Sequence, residues 1–150
     1  MMNWSKKSNH VIRVYYNRNS LKSQSLECVV MAKIMIADDS DAIRLVLQDI
    51  LSIGGHEVVA EAQNGAEAVE KYSKINPDVL LLDLAMPKKD GLTVIKEIMP
   101  SHPNAKIIVI TASDNQNIIN ECLENGAKSF ISKPFDFDYV LNLITKTLKS

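Results

Sequence analysis

The sequence is poor in the side chains that build disulfide frameworks and zinc sites. It holds two cysteines, Cys28 and Cys122, which form no CxxC pair. Its three histidines, His10, His56 and His102, lie too far apart for a local zinc motif. Each histidine is therefore interpreted as a surface residue rather than a ligand. So little cysteine is typical of proteins in a reducing compartment, and the expected location is the cytoplasm.

Long apolar runs and glycine-rich loops are also missing. No apolar stretch approaches the roughly 20 residues that span a bilayer. No apolar segment follows Lys6 and Lys7, as one would in a secretory signal. The sequence contains no glycine-rich loop with lysine, which phosphate-binding loops of nucleotide-dependent enzymes require. These absences exclude proteins with a membrane span, a secretory signal or a phosphate-binding loop.

Charge is divided unevenly along the chain. Residues 1–30 carry five Lys or Arg and one Glu, whereas residues 31–150 carry 12 Lys or Arg and 17 Asp or Glu. This contrast predicts a boundary between a basic N-terminal extension and one domain of residues 31–150. Three interpretations fit the extension: a disordered tail that touches nucleic acid or another anionic partner, a short strand at VIRVYY, or a leader from a start codon placed upstream of Met31. We favour the third.

From Met31 onward, short apolar runs alternate with amphipathic segments. The runs are predicted strands, and the segments with apolar residues at helical spacing are predicted helices. Five strands alternating with five helices predict a doubly wound α/β fold with a parallel sheet. The predicted strands are 33–37, 57–61, 78–82, 106–110 and 129–132, and the first four predicted helices are 41–53, 66–72, 92–99 and 118–123.

The ends of two predicted helices are marked by capping residues. Ser40 is a fitting N-cap for the first helix, which Gly54-Gly55 ends. The last helix is predicted to begin at the cap residue Asp136. The apolar stripe by which the first helix would face the sheet consists of Ile43, Val46, Leu47, Ile50 and Leu51.

Polar side chains follow four of the apolar runs. Asp38 and Asp39 follow the first strand, Asp83 the third, Thr111 the fourth and Lys133 the fifth. Because the carboxyl ends of parallel strands meet at one edge where ligands bind, these side chains are predicted to converge. Each residue alone has an ordinary structural explanation, as a turn, a helix cap or a solvated loop residue. The whole set at corresponding positions indicates a site.

The chemistry of this set suits a phosphoryl group held beside a metal ion. Three neighbouring carboxylates repel one another, and a hard divalent cation relieves that repulsion. Mg²⁺ prefers carboxylates, a carbonyl oxygen, waters and often a phosphate oxygen. Lys133 would offer an anion a positive charge, and Thr111 a hydrogen bond. An aspartate carboxylate can itself be the nucleophile and form an aspartyl phosphate.

Four segments, IMIADDS, LLLDLAMPKKDG, IIVITAS and FISKPF, together resemble the receiver domain of two-component response regulators. The resemblance covers about residues 31–149. It implies a flavodoxin-like three-layer (βα)5 sandwich with the strand order 2-1-3-4-5. It also implies a phosphorylatable signalling switch that promotes only its own phosphoryl transfer and hydrolysis, rather than an enzyme that acts on a separate substrate.

The resemblance implies a role for each residue at the strand ends. Asp83 would be the phosphoacceptor, and it would share Mg²⁺ with Asp38, Asp39 and the backbone carbonyl of Ala85. Asp39 would be the more direct ligand, with Asp38 acting partly through water.

The remaining implied roles concern the response to phosphorylation. Thr111 and Lys133 would bind the phosphoryl group, and the peptide bond from Lys133 to Pro134 would be cis. Phe130 would be the switch aromatic that fills the space vacated by Thr111. Gly91 would serve the loop after the phosphorylation site.

The resemblance also implies partners. A sensor histidine kinase or a phosphotransfer protein would supply the phosphoryl group, and the face of the fourth helix, fifth strand and fifth helix would control a downstream protein. No helix-turn-helix, methylesterase or cyclase segment follows the fifth helix. This predicts a single-domain regulator, monomeric or weakly dimeric, without a DNA-binding domain or membrane span. A chemotaxis-type regulator, a phosphorelay intermediate and a piece of a longer regulator all stay open.

Other classes fit the sequence less well. An aspartate-nucleophile phosphatase would need a second acid two residues after Asp83, where Ala85 stands. A flavin-binding protein would need a loop rich in hydroxyls and glycine after the first strand, where DDSDAIR is acidic. A scaffold that only resembles a receiver would have lost Asp83, another of the acids or Lys133, and all are present.

Overall fold

The computed structural model describes residues 2–7, 10–15 and 27–150. Strands and helices alternate from residue 33 to residue 148. In chain order the elements are β1 (Met2–Lys7), β2 (His10–Tyr15), β3 (Glu27–Met31), β4 (Lys33–Ala37), α1 (Asp41–Ile53), β5 (Glu57–Ala62), α2 (Gly65–Ile75), β6 (Val79–Asp83), α3 (Gly91–Ile98), β7 (Ile107–Thr111), α4 (Gln116–Glu124), β8 (Ser129–Ser132) and α5 (Phe137–Leu148).

The five strands from β4 to β8 form one parallel sheet. Their spatial order is β5-β4-β6-β7-β8, and each neighbouring pair is parallel. Numbered along this domain, that is the order 2-1-3-4-5, so the fold class inferred from the sequence is confirmed. The carboxyl ends of β4 and β6 are adjacent at the point where the strand order reverses, which is where open α/β sheets bind ligands.

Apolar cores lie on both faces of this sheet because its central strands, β6 and β7, are aliphatic except at their last residues. Successive residues of a strand point to opposite faces, so β6 and β7 supply side chains to both cores. Helices α1 and α5 cover one face, and α2, α3 and α4 cover the other. The first core contains Leu47, Leu51, Leu81, Ile110 and Ile144, and the second contains Met35, Leu82, Ile95, Val109 and Cys122.

Two local predictions need correction. Val46 was placed on the buried stripe of α1, but its side chain is 46% exposed, since Leu47, Ile50 and Leu51 already cover the sheet. Asp136 does occupy the N-cap position of α5, but its side chain makes no capping hydrogen bond. Ser40, by contrast, accepts a hydrogen bond from the backbone N–H of Ile43 and caps α1 as predicted.

The backbone before residue 32 contains a second, antiparallel sheet. Its strands are β1, β2 and β3, with β2 in the middle, and β2 includes most of the VIRVYY segment. Residues 1, 8–9 and 16–26 lie outside the described part of the chain. The prediction that residues 1–30 are a separate extension, disordered or absent from the natural protein, stays a prediction. Within the described ranges, no helix is long and apolar enough to cross a membrane.

His56 was interpreted as a surface residue, and this was wrong. The chain turns back at Gly54-Gly55, the His56 backbone N–H donates to the Leu51 carbonyl, and the residue is buried. Its Nδ1 accepts a hydrogen bond from the N–H of Ala32 at 3.1 Å. Burial lowers the pKa of His56 from its ordinary value.

We expect His56 to make stability depend on pH. A histidine whose folded pKa is lowered stabilises the fold fully above its unfolded pKa of about 6.5, and that contribution is lost as pH falls through this value. The free energy of unfolding, measured in urea between about pH 7.5 and 5.5, should therefore fall with pH. His56→Gln, which keeps an uncharged acceptor, should flatten this slope. Equal slopes in the two proteins would contradict the prediction.

Candidate functional site

Three carboxylates meet at the carboxyl ends of β4 and β6. Asp38 and Asp39 directly follow β4, and Asp83 is the last residue of β6. Each contributes an oxygen that lies within 4.8 Å of the oxygens of the other two. Asp38 and Asp83 are 1% and 3% exposed, whereas Asp39 is open to solvent. The predicted convergence of these acids is therefore present in the fold.

Hydrogen bonds hold the loop that carries the first two acids. The N–H of Asp38 donates to the carbonyl of Ala62 at 3.0 Å, which continues the pairing between β4 and β5. The N–H of Ser40 donates to Oδ1 of Asp38 at 2.9 Å. Because Ser40 also caps α1, this short segment turns directly from strand to helix with its acids at the edge of the sheet.

Lys133 lies between two of the acids. Its Nζ is 3.1 Å from Oδ2 of Asp38 and 3.6 Å from Oδ1 of Asp83, and the side chain is 19% exposed. The backbone N–H of Lys133 donates to the carbonyl of Thr111 at 2.8 Å, which joins the ends of β7 and β8. The peptide bond from Lys133 to Pro134 is cis, as expected from the sequence.

The other predicted residues divide into those that line a cavity beside the acids and one, Phe130, that lies apart from it. Thr111 and Ala85 line the same cavity as Asp39, Asp83 and Lys133, with a volume of about 480 Å³. Oγ1 of Thr111 accepts a hydrogen bond from the N–H of Ser113 at 3.0 Å. The N–H of Ala85 donates to Oδ1 of Asp83 at 3.3 Å.

Phe130 lies apart from the cavity. It is half-buried on β8 and packs against the core beneath α2, α3 and α4. Val109, two residues before Thr111, is its partner across the β7–β8 pair. Phe130 therefore lies beside β7, at the level of the residue two positions before Thr111.

The electrostatics of the cluster are unfavourable to three ionised acids. Burial, and then the neighbouring charge of Asp38, raise the pKa of Asp83, although Lys133 and the N–H of Ala85 act in the opposite direction. On the described wall of the cavity, Lys133 is the cationic side chain among Asp39, Asp83 and Asp90. The excess of carboxylate oxygens matches the ligands that Mg²⁺ prefers, so the residues present fit a bound divalent cation.

Two glycines let the loop from β6 to α3 approach its neighbours. The N–H of Gly91 donates to the carbonyl of Leu84, and a Cβ at Gly91 would lie 2.7 Å from the carbonyl oxygen of Asp83. At the start of α2, a Cβ on Gly65 would collide with the carbonyl oxygen of Lys89. The sequence analysis named Gly91 for this loop but did not predict the contact of Gly65.

Sequence reasoning also missed an ion-pair network that is centred on a buried arginine behind the acids. Arg44 on α1 is 8% exposed and contacts the backbone of Asp38 together with the side chains of Asp41 and Glu61. The available signal was an arginine directly after Ile43, beside the apolar stripe of α1. It was also not anticipated that Leu92 and Ile118 would give the cavity an aliphatic wall.

Comparisons with known proteins show what this chain is similar to. The family model described as the response regulator receiver domain matches residues 34–145. The chemotaxis protein CheY of Bacillus subtilis is 47% identical over 116 residues, which cover 77% of this chain and 97% of that protein. The chemotaxis protein CheY of Thermotoga maritima is 44% identical over 117 residues, which cover 78% of this chain and 98% of that protein.

A solved structure gives a similar result for the fold. A chain in the crystal structure of the CheX–CheY–BeF3–Mg²⁺ complex from Borrelia burgdorferi superposes with a TM-score of 0.73 and is 37% identical in sequence. The match covers 76% of this chain and 87% of that chain. The similarity therefore extends over most of both molecules.

Proposed function

This chain belongs to the response regulator receiver family, whose members are signalling switches, and we propose that its phosphoacceptor is Asp83. The observation that carries the proposal is the position of this carboxylate. It is buried at the end of the central strand β6, with the Lys133 ammonium 3.6 Å away and Thr111 on the same cavity wall. A buried acid beside an excess of negative charge costs stability, which indicates a role outside folding.

The reaction that we propose is transfer of a phosphoryl group from a phosphohistidine. A carboxylate oxygen of Asp83 forms a bond to phosphorus as the bond from phosphorus to the histidine nitrogen breaks. The imidazole leaves with that electron pair and takes up a proton, and Asp83 becomes an acyl phosphate. Lys133 orients and neutralises the transferred group, and Thr111 donates a hydrogen bond to it. Hydrolysis of the acyl phosphate returns the switch to its resting state.

We assign the proposed Mg²⁺ to the acid cluster. Asp38, Asp39 and Asp83 would hold it together with the backbone carbonyl of Ala85. When bound, Mg²⁺ would offset the negative charge that the acids and the phosphoryl oxygens share. The crystallised complex from Borrelia burgdorferi, whose name includes BeF3 and Mg²⁺, supports this assignment by similarity.

The proposed switch runs from the phosphoryl group to the face of α4, β8 and α5. Thr111 moves toward the phosphoryl group, and the hydrogen bond between its carbonyl and the N–H of Lys133 couples the ends of β7 and β8. Phe130 then fills the space that Thr111 leaves. The two arrangements exist in equilibrium, and phosphorylation changes their populations.

The proposed output is control of a partner protein by that face. Because relatives with 44% and 47% identity are chemotaxis proteins, we favour a chemotaxis-type role over a phosphorelay intermediate. In either role, the phosphoryl donor would be a histidine kinase or a phosphotransfer protein. The proposed location is the cytoplasm, with the protein as a monomer or a weak dimer.

The test of this function is the intact mass of the protein after incubation with acetyl phosphate and Mg²⁺. We expect a gain of one phosphoryl group, because a carboxylate held beside a cation and an ammonium group can accept it from a small donor. Chelation of the metal should abolish the gain.

Phosphorylated histidine-containing proteins serve as the second donor. They separate a receiver that requires its own kinase from a scaffold that accepts nothing. No gain from acetyl phosphate or from a panel of such donors would contradict the proposed function.

A further inference from the structure

A buried guanidinium lies behind the acid cluster and takes no part in the proposed phosphoryl transfer. Arg44 is 8% exposed on the first turn of α1. Its Nη1 donates to the backbone carbonyl of Asp38 at 2.6 Å, and its Nε donates to Oε1 of Glu61 at 3.2 Å. Its Nη2 pairs with the carboxylate of Asp41. The planar fork of arginine thus reaches three acceptors from three different nitrogens, a geometry that the single nitrogen of a lysine cannot reproduce.

These contacts hold the peptide backbone of Asp38 from both sides. Its N–H is bonded to the carbonyl of Ala62 on β5, and its carbonyl is bonded to Arg44. The fixed carbonyl lies in the peptide that links Asp38 to Asp39. The direction in which the Asp39 carboxylate leaves the backbone therefore depends on Arg44.

The network continues to α2 and is anchored there. Nζ of Lys71 donates to the backbone carbonyl of Glu61 at 2.6 Å and pairs with the side chain of Glu67. Arg44 thus donates to the carboxylate of Glu61, whose backbone carbonyl is itself held by Lys71. Arg44 links the acid-bearing loop to β5 and, through Glu61, to α2.

We propose that Arg44 is a positioning residue that sets the geometry of the cation-binding loop by holding the Asp38–Asp39 peptide. This inference rests on the proposed function, since it assumes that the acids bind Mg²⁺. Arg44 would act through the backbone and make no contact with the cation.

The proposal predicts a change in Mg²⁺ affinity opposite to that expected from charge alone. Removing a positive charge close to a cation site would tighten cation binding by Coulomb's law. Loss of the held peptide would weaken it, because the acids would have to be ordered during binding. The sign of the change in affinity therefore separates a positioning role from a merely electrostatic one.

The experiment is calorimetric titration of the full chain with Mg²⁺. Arg44→Met should weaken Mg²⁺ binding about tenfold, the lower end of the range for losing a group that orients a metal ligand. Arg44→Lys keeps the charge but not the fork, and it should weaken binding by a smaller factor. Lys74→Met removes a charge from an exposed surface pair on α2 and should leave the affinity unchanged.

A second measurement uses the metal-free protein, and its first part needs no variant. The amide hydrogens of Asp38 and Ser40 should exchange slowly before any Mg²⁺ is added, because both are already bonded. In folded Arg44→Met, both should exchange faster. This arm keeps the proposal testable if that variant does not fold.

Three outcomes would overturn the inference. One is Mg²⁺ binding by folded Arg44→Met that equals or exceeds that of the unaltered chain. Another is equal binding by Arg44→Lys and the unaltered chain, and a third is unprotected amides in the metal-free protein. If the unaltered chain bound no Mg²⁺, the proposed metal site would fail and this inference with it. The first three outcomes leave the proposed function standing.

Discussion

Asp83→Asn should lose phosphoryl acceptance and yet fold more stably than the unaltered protein. The amide cannot supply the anionic oxygen that attacks phosphorus, so the mass gain with acetyl phosphate and Mg²⁺ should fall below detection. Asp83→Ala should likewise show no mass gain, and it excludes slow deamidation as a source of residual phosphorylation. If both variants gained as much mass as the unaltered protein, the phosphoacceptor would be a residue other than Asp83.

The stabilisation follows from the same geometry. Asp83 is 3% exposed, and both burial and the charge of Asp38 disfavour its ionised form. Asn keeps the shape without the charge, and in metal-free buffer we expect the free energy of unfolding to rise by about 1 kcal/mol or more. That would raise the unfolding midpoint of a domain of this size by several degrees. Added Mg²⁺ should stabilise the unaltered protein more than the variant, since a ligand stabilises the state that binds it.

The increase in stability of Asp83→Asn should also depend on pH. The pKa of the Asp83 carboxyl is raised in the folded state, so folding takes up protons between the unfolded and folded pKa values. Relative to Asn, the acid therefore costs stability above its folded pKa, and this cost disappears as pH falls below the unfolded value of about 3.9. Asp114→Asn, which removes an exposed acid, is the matched control and should show little change. A gain for Asp83→Asn that did not shrink in acid would contradict the electrostatic explanation.

The fold could be predicted because its signals are local and numerous. The aliphatic strands β6 and β7 are buried on both faces, which is possible only with helices on each side of the sheet. Element boundaries shifted by one or two residues at several ends, as at β6, where Asp83 belongs to the strand itself. Such shifts arise because hydrogen bonding in the sheet decides where a strand ends, and apolarity does not.

The candidate site could be located for a different reason. Parallel strands bring their carboxyl ends to one edge, so the sequence positions of Asp38, Asp83 and Lys133 sufficed to place them together. The contacts behind the site could not be found in this way. Arg44 reaches Glu61 across 17 residues of sequence, and Gly65 faces Lys89 across 24. Neither separation along the sequence follows the period of a helix or a strand, because both contacts depend on how α1 and α2 pack against the sheet.

The position of His56 shows the same limit. A histidine after two glycines is typical of an exposed turn, yet the ring is buried and bonded to the N–H of Ala32, just before β4. The prediction failed because burial there depends on the path of the chain after α1. The prediction for Val46 on α1 failed similarly, since Leu47, Ile50 and Leu51 already cover the sheet and Val46 is left exposed.

Lys133→Met should have the opposite effect on stability from Asp83→Asn and an equally large effect on phosphorylation. The Lys133 ammonium is 3.1 Å from Asp38 and 3.6 Å from Asp83, and both acids are buried. Its removal leaves them without a counter-charge, which should lower the free energy of unfolding by about 3 kcal/mol in metal-free buffer. Mg²⁺ should restore part of that loss, because it supplies positive charge to the same acids. Lys128→Met, at an exposed position before β8, is the control for losing a lysine.

The rate of phosphorylation should fall as well. Loss of a charged group that stabilises developing negative charge typically slows such a reaction by about 10²-fold or more. Initial rates of mass gain with acetyl phosphate at saturating Mg²⁺ would measure this. Lys133→Arg keeps the charge in a broader, planar group. It should therefore preserve most of the free energy of unfolding but less of the phosphorylation rate. A variant that lost stability but reacted at the rate of the unaltered protein would restrict Lys133 to folding.

The two substitutions should not be additive. In Asp83→Asn, Lys133 faces one buried carboxylate, Asp38, in place of two. Removing the lysine in that background should therefore cost less stability than removing it from the unaltered protein, by an interaction energy of about 1 kcal/mol or more. Urea unfolding of the two single variants and the double variant in metal-free buffer measures this difference. Additive costs would mean that Lys133 and Asp83 do not interact despite their separation of 3.6 Å, and the electrostatic basis of both predictions would be lost.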